Sequence, residues 1–387
     1  MTASETPPTV HRLMARFAAR TGLTSNQAPT RYLWTDAFAL CNFLGLYTET
    51  GDASYLDLAL GLIDQVHHVL GRHRADYSRQ GWLSGLAGEA AEQHPTAGGL
   101  RIGKALPERP PGAPLDQQLE WDRDGQYFHY LTKWMHALLR TSQVTGDATY
   151  QGWALELAQR AHAAFTYRPQ GGGPPRMFWK MSIDLSRPLV PSMGHHDPLD
   201  ALITYLALEA ASSQGGGGPD LSAEIAEASQ MTAGRDWATA DPLGIGGLLS
   251  DAYRLARLMA ARDVPEPSLL PVLLESALVG LGAYARQDPL RLPATHRLAF
   301  RELGLSIGLH AAERLEALVE GEPARFGQVN LVRDRLRALA EYHPLAGQIE
   351  AFWLAPAHQA ASTWTDHLDI NAVMLATSLA PDGYLGL

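Results

Sequence analysis

The chain has 387 residues, 46% of them hydrophobic, which is enough for a large folded core and excludes a disordered chain. Forty-one acidic against 31 basic side chains leave a net charge of −10, which excludes a general nucleic-acid binder built on a dominant basic patch. The single cysteine, Cys41, excludes an intrachain disulfide framework and a cysteine-based structural zinc site.

The N-terminal stretch MTASETPPTVHRLMARFAARTG lacks the apolar core of a signal peptide, and no run reaches the roughly 18 apolar residues of a membrane span. A cytoplasmic protein without a membrane segment is therefore expected. Alternating Val- and Thr-rich runs are nearly absent, and Ala/Leu-rich segments with helical spacing dominate. The chain reads as all-α, with one short extended piece around RMFWKMSIDL.

After a first helix near 8–22, the segment 43–70 (FLGLYTETGDASYLDLALGLIDQVHHVL) is echoed at 138–165 (LLRTSQVTGDATYQGWALELAQRAHAAF). Cys41 lies just before the first of these, in the apolar run FALCNFLGL, and reads as a buried thiol. Each echo is a helix, a Thr-Gly-Asp-Ala-Ser/Thr-Tyr turn and a second helix. Gly51 and Gly146 suit the left-handed end of a helix. Asp52 and Asp147 then stand where an N-cap carboxylate meets the free N–H groups of the next helix.

Weaker hairpins follow. Residues 197–214 lead through the flexible glycine linker QGGGGPD to 220–234. Residues 243–263 lead to 268–287, and 297–319 to a helix near 326–340. A last helix, 363–380, would pair with the N-terminal one, so that the chain ends close a sixth hairpin. The turns inside hairpins are mostly short. The connections 73–124, 167–196 and 341–362 are long, and each delivers the chain to the start of a first helix. Long connections of this kind usually carry function.

Six helical hairpins with two TGD-A-[ST]-Y turns resemble the six-hairpin (α/α)6 barrels. These include glycoside hydrolases, unsaturated glucuronyl hydrolases and N-acylglucosamine 2-epimerase-like isomerases. The resemblance covers most of the chain and implies a single domain over 1–387, with a substrate cavity lined by inner helices. It also implies a mouth at the end where the long connections meet. The inner-helix N-termini there would favour anionic groups or developing negative charge. Related helical toroids fit less well. The lanthionine cyclases use zinc-ligating cysteines that this chain lacks, and the DDxxD and DxDD runs of terpene cyclases are missing.

Each inner-helix start supplies acids, often with Trp or His. YLWTDAF offers Trp34 and Asp36. WDRDGQYFHYLTKW offers Trp121, Asp122, Asp124, Tyr127, His129 and Tyr130. MGHHDPLDAL offers His195, His196, Asp197 and Asp200. DWATADPLG offers Asp236, Trp237 and Asp241, and THRLAFRELG offers His296, Arg297, Arg301 and Glu302. TWTDHLDIN offers Trp364, Asp366, His367, Asp369 and Asn371. An Asp before a helix is commonly a cap, so any one of these is weak. Their convergence on one mouth is the stronger signal.

Within the second set, Asp124-Gly125 suits a cap, which leaves Asp122 free. Tyr127, Tyr130, Trp134 and Leu138 fall at i, i+3, i+7 and i+11, a buried stripe. Lys133 at i+4 from His129 would disfavour protonation of that histidine on contact. In GHHDP, Asp197 and Pro198 suit N-cap and N1. The apolar flanks of Arg301 and Glu302 suggest a buried pair able to clamp a substrate. No HExxH, P-loop, dinucleotide fingerprint or nucleophile elbow is present.

These residues point to a carbohydrate-active enzyme acting on a small carbohydrate, with no metal or cofactor, no nucleic acid partner and an oligomeric state left open. The leading expectation is a glycoside hydrolase with an acid and a base on either side of the scissile bond. Asp122 or Asp124 would supply one role and Asp197 or Asp366 the other. Trp34, Trp121, Trp179 and Trp364 would be sugar platforms, because sugar C–H faces pack on indole. Asp36, His129, His195, His196, Arg301, Glu302 and His367 would bind or orient substrate. The alternatives are a sugar isomerase or epimerase, in which histidines of the mouth (His129, His195, His196, His367) would move a proton and Arg301 would hold the substrate, and a non-catalytic toroid that binds a ligand or partner protein.

Overall fold

A computed structural model describes residues 8–215, 219–262, 264 and 266–386. Part of the N-terminal stretch, part of the glycine linker, part of the 263–267 turn and Leu387 lie outside the described residues. The backbone clusters into two compact units, Ala18–Ala233 and a second comprising Gly234–Gly386 with the stretch up to Phe17. The helix α1 (Pro8–Arg20) crosses that division in sequence.

In the first unit, the hairpin of α2 (Leu33–Thr50) and α3 (Ala53–Leu70) turns as expected. Gly51 ends α2 at φ 69°, and Asp52 accepts from Ser54 N–H at 2.9 Å. The short helices α4 (Glu89–Gln93) and α5 (Gln117–Asp122) lie in the long connection that follows. The second hairpin, α6 (Phe128–Thr145) and α7 (Ala148–Phe165), repeats the turn with Gly146 at φ 74° and Asp147 capping Thr149 N–H at 2.9 Å. The third is α8 (Asp197–Gly215) and α9 (Ser222–Thr232).

Burial distinguishes the two helices of the first hairpin. Residues 33–44 of α2 are buried without a break, whereas α3 buries only the stripe Ala59, Leu62, Ile63, Val66, His67 and Leu70. A helix apolar all round lies inside, and an amphipathic one covers it. The inner helices of this unit pack in the order α2, α6, α8.

Among the described residues, five very short strands interrupt the helices: β1 (Gln126–Tyr127), β2 (Thr166–Tyr167), β3 (Arg176–Met177), β4 (Lys180–Met181) and β5 (Pro188–Val190). The last three account for the extended piece expected in 167–196. Strand β1 pairs antiparallel with β4, with Tyr127 opposite Lys180, and β4 pairs with β5. This register sets Trp179 beside the start of α6.

The second unit holds α10 (Pro242–Ala261), α11 (Leu269–Arg286), α12 (Ala299–Gly321) and α13 (Val329–Ala340). It continues with α14 (Pro344–Leu354), α15 (Pro356–Gln359), α16 (Ser362–Thr365), α17 (Leu368–Leu379) and α18 (Asp382–Leu385). The expected open connection 341–362 is therefore mostly helical. Pro344 and Pro356 each sit at a helix start, where a missing N–H costs nothing.

Helix α12 packs on both α10 and α17. Its contact with α10 is set by glycine: a Cβ on Gly246 would come within 2.0 Å of the Gly304 carbonyl oxygen. Contrary to the expectation that no run reaches that length, helix α11 has the length and apolar composition of a membrane span. Here its Leu270, Leu273, Leu274, Ala277 and Leu281 are buried, and it packs on α10 and α13.

Candidate functional site

In the first unit, the long connection before α6 is anchored by buried charge. The Asp124 carboxylate is 0% exposed. It accepts from Arg101 Nη1 at 2.5 Å and from Gly103 N–H at 3.0 Å, with Arg74 Nη1 at 3.5 Å. A second anchor is Lys180, also fully buried. Its ammonium donates to Glu120 Oε1 at 2.9 Å and to the Glu120 and Arg123 carbonyls at 2.7 and 2.8 Å. Arg109 Nε completes this group by donating to Glu120 Oε2 at 3.0 Å.

Lys180 thus grips the backbone on both sides of Trp121-Asp122. That dipeptide is presented outward: Trp121 is 49% exposed and Asp122 is exposed at the end of α5. The Trp121 ring meets Trp179 edge to face at 4.9 Å. Lys104 donates to the Trp121 carbonyl, and its ammonium lies 6.0 Å from the indole. Burial, with the Lys180 charge in support, lowers the Lys104 ammonium below the usual lysine range.

The aromatic wall continues from Trp179 to Tyr127 at 5.3 Å, and from Tyr127 to His129, whose ring stacks at 5.3 Å and 28°. Trp34 on α2 approaches His129 at 6.2 Å and Tyr130 at 5.4 Å. The Tyr130 and Tyr32 hydroxyls share a 2.7 Å hydrogen bond. Tyr127, Trp134 and Leu138 are buried as the helical stripe predicts. Tyr130 is only half-buried and belongs to the wall.

His129 is the titratable group at the centre of this wall. Its Nδ1 lies 3.6 Å from Asp197 Oδ1 at the start of α8, and 26% of its side chain stays accessible. Burial, opposed by Asp200 and aided by Lys133, pushes the imidazole down to about 4. It is therefore neutral at pH 7 and able to accept a proton. One turn further along, Asp200 takes a bidentate contact from Lys133 at 2.8 and 2.9 Å and a bond from Thr132 Oγ1 at 2.5 Å. His195 and His196 precede α8 with ring centroids 4.6 Å apart; His195 is exposed and His196 half-buried.

Neither Asp122 nor Asp124 caps α6, contrary to the expected cap at Asp124-Gly125. The cap position is Tyr127, without a side-chain bond. Asp36 is also buried, accepting from Tyr32 N–H at 2.8 Å with Arg31 Nη1 at 3.4 Å. Trp34, Trp121, Trp179, His129 and Asp197 are brought together by direct contacts. Asp36 and Asp124 are instead bound into the supporting structure.

The second unit holds the remaining named residues. Arg301 pairs with Asp241 at 2.7 Å, and Asp241 also caps α10 through Gly244 N–H. Glu302 is buried in a fork with Arg297 at 2.6–3.1 Å and accepts from Trp353 Nε1 at 2.8 Å. Trp364 is 2% exposed and stacks near Trp353 at 5.7 Å, so it belongs to the core. Asp366 and His367 are exposed, and His367 faces Phe300 at 5.9 Å. Among the described residues, no three His, Cys, Asp or Glu side chains cluster as a metal site would require.

Sequence reasoning passed over the Tyr32 hydroxyl and Lys104. Each is brought to the wall by a tertiary contact for which the local pattern holds no signal.

No family model and no curated protein matches the chain. Solved structures do. An inactive double Asp-to-Asn variant of the GH76A α-1,6-mannanase of Salegentibacter sp. HEL1_6, in complex with α-1,6-mannotriose, superposes with a TM-score of 0.53 at 13% identity. The match covers 96% of this chain and 98% of that one. The GH76 α-mannanase of Bacteroides thetaiotaomicron gives 0.51 at 9% identity, covering 96% of each chain. The cellobiose 2-epimerase of Spirochaeta thermophila DSM 6192 gives 0.48 at 14% identity, over 88% of this chain and 86% of that one. The two mannanase matches show that the chain has an all-α, six-hairpin (α/α)6 fold.

Proposed function

We propose that the protein is a carbohydrate-active enzyme that moves a proton next to a sugar carbonyl, as an isomerase or 2-epimerase does. The observation that carries this reading is the neutral His129, set against Asp197 and ringed by Trp34, Tyr127, Tyr130 and Trp179. Asp197 is the carboxylate nearest Nδ1, at 3.6 Å, and with the proton on Nδ1 the Nε2 lone pair is left for substrate.

The bonds balance as follows. Nε2 takes the proton from C2 of an open-chain aldose, and the C2–H electron pair forms an enediolate. The paired Tyr32 and Tyr130 hydroxyls carry a proton between O2 and O1. His129 then returns its proton to C1, giving a ketose; return to C2 gives the epimer only after the enediolate has turned about C2–C3 to present its opposite face to Nε2. The indoles hold the C–H faces of the sugar.

A glycoside hydrolase is the second reading, favoured by exposed Asp122 beside the Trp121–Trp179 corner and by the mannanase fold. It is second for two reasons. Asp124 is bound into an ion pair rather than free. The mannanase variant is substituted at two consecutive aspartates, and this sequence has no two consecutive aspartates.

Product analysis separates the readings. A panel of free aldoses, reducing disaccharides and α-1,6-linked mannan is incubated with the protein. Conversion of a free reducing sugar to its ketose or 2-epimer supports the proposal. New reducing ends from mannan, with free sugars unchanged, overturn it.

A further inference from the structure

The Lys133–Asp200 pair has no part in the proton transfer, yet it lies one helical turn below the groups that do. His129 and Lys133 are at i and i+4 on α6, and Asp197 and Asp200 at i and i+3 on α8. Residues at these spacings share a helix face. The two helices therefore meet along two rungs, His129 to Asp197 above and Lys133 with Thr132 to Asp200 below. The upper rung is open, at 3.6 Å. The lower one is closed, with three bonds of 2.5–2.9 Å, and both its charged side chains are largely buried.

We propose that Lys133 and Asp200 act together as positioning residues: their ion pair fixes the register of α6 on α8 that sets Asp197 beside His129, and their opposite charges balance across that imidazole. The inference rests on His129 being the proton acceptor of the site, but its test needs no turnover.

The groups facing His129 define the electrostatics. From α8 these are the Asp197 and Asp200 carboxylates, and from its own helix the Lys133 ammonium. Trp34 of α2, Tyr127 of β1, Tyr130 and Trp179 are uncharged around pH 7. A lone Lys133 would push His129 further from protonation, and a lone Asp200 would pull it toward protonation. Joined, they offset each other and leave burial as the main influence on the ring.

The test is a pH titration of the His129 ring followed by NMR in the whole protein, with the resonance assigned by its loss in His129→Gln. Lys133→Met should move the midpoint up by about one pH unit or more, and Asp200→Asn should move it down. Lys133→Arg keeps the charge and should leave it in place. If Lys133→Met is folded and its His129 midpoint is unchanged, the proposal is overturned. If Lys133→Met does not fold, an unchanged midpoint in Asp200→Asn overturns it equally. The ring titrates as predicted even where no sugar is turned over, so failure of the isomerase reading registers separately in the product panel.

Discussion

His129 Nδ1 and Asp197 Oδ1 stand 3.6 Å apart, each supplied by the first turn of a different inner helix. One turn deeper, α6 and α8 are tied by Lys133 and Asp200 at 2.8 Å. The imidazole and its neighbouring carboxylate thus sit on two packed helices rather than on loops, the rigid support that the proposed proton transfer requires.

Replacing Asp197 by Asn removes the carboxylate charge 3.6 Å from His129 Nδ1, which the proposed function uses to hold the Nδ1–H tautomer. The rate constant kcat for sugar interconversion should fall on the order of 10²–10³-fold, with KM within a few-fold of the wild type. Steady-state kinetics checks this, and circular dichroism should report an intact helical fold.

The pH dependence follows from two depressed histidines. His67, buried and accepting from Trp134 Nε1–H at 3.2 Å, is pushed down to about 3 by burial, and His129 to about 4. Both folded values lie below the ordinary 6.5 of an unfolded chain. As pH falls through about 6.5, the unfolded chain takes up protons that the native one refuses, so stability is lost toward pH 4. His310 acts in the opposite sense. Burial lowers it, but Glu350 and Glu313 outweigh burial and raise it, so its contribution is present at low pH and fades as pH rises. Urea unfolding at pH 5 should show a net loss on the order of 2–4 kcal/mol relative to pH 7.

Asp124 holds its connection together, so substituting it should injure the fold before the chemistry. Asp124→Ala leaves the Arg101 guanidinium without the carboxylate it meets in a buried place, a loss of about 3–5 kcal/mol. A lowered urea midpoint and faster proteolytic cutting within 73–124 check this.

The Trp121–Trp179 corner should act on affinity. Trp121 is half out in solvent, so Trp121→Ala should barely change the melting temperature. Its KM for sugar should rise about tenfold, equivalent to about 1.4 kcal/mol of lost contact, with kcat near the wild-type value. Trp179→Ala should raise KM similarly.

What was legible in the sequence is what local physics decides. The TGD turns announced both the left-handed glycines and the capping aspartates, because cap and turn chemistry lie within four residues. The apolar run FALCNFLGL announced the burial of Cys41. His129 and Asp197 were legible as members of helix starts, since a carboxylate or histidine there shows in the letters.

What each buried carboxylate is bound to was hidden. Asp124 is taken by Arg101, Glu120 by Lys180, and Glu302 by Arg297 and Trp353. Most of these partners are 20 or more residues away, and a buried charge finds its counterion only in the folded chain. Trp364 misled for a related reason: a tryptophan near acids reads the same whether it faces solvent or stacks on Trp353. The helices in 341–362 were obscured by prolines, which mark helix starts as readily as loops.

The central claim is that His129 moves a proton at a sugar carbon, and solvent exchange reads that proton directly. Wild-type protein and His129→Gln are incubated with a free aldose that turns over, in D2O, and C2–H is followed by NMR. Wild type should place deuterium at C2 or in the interconverted product, and His129→Gln should lose at least about 10³-fold of that rate with the fold intact. Unchanged exchange and unchanged turnover in a folded His129→Gln would contradict this role.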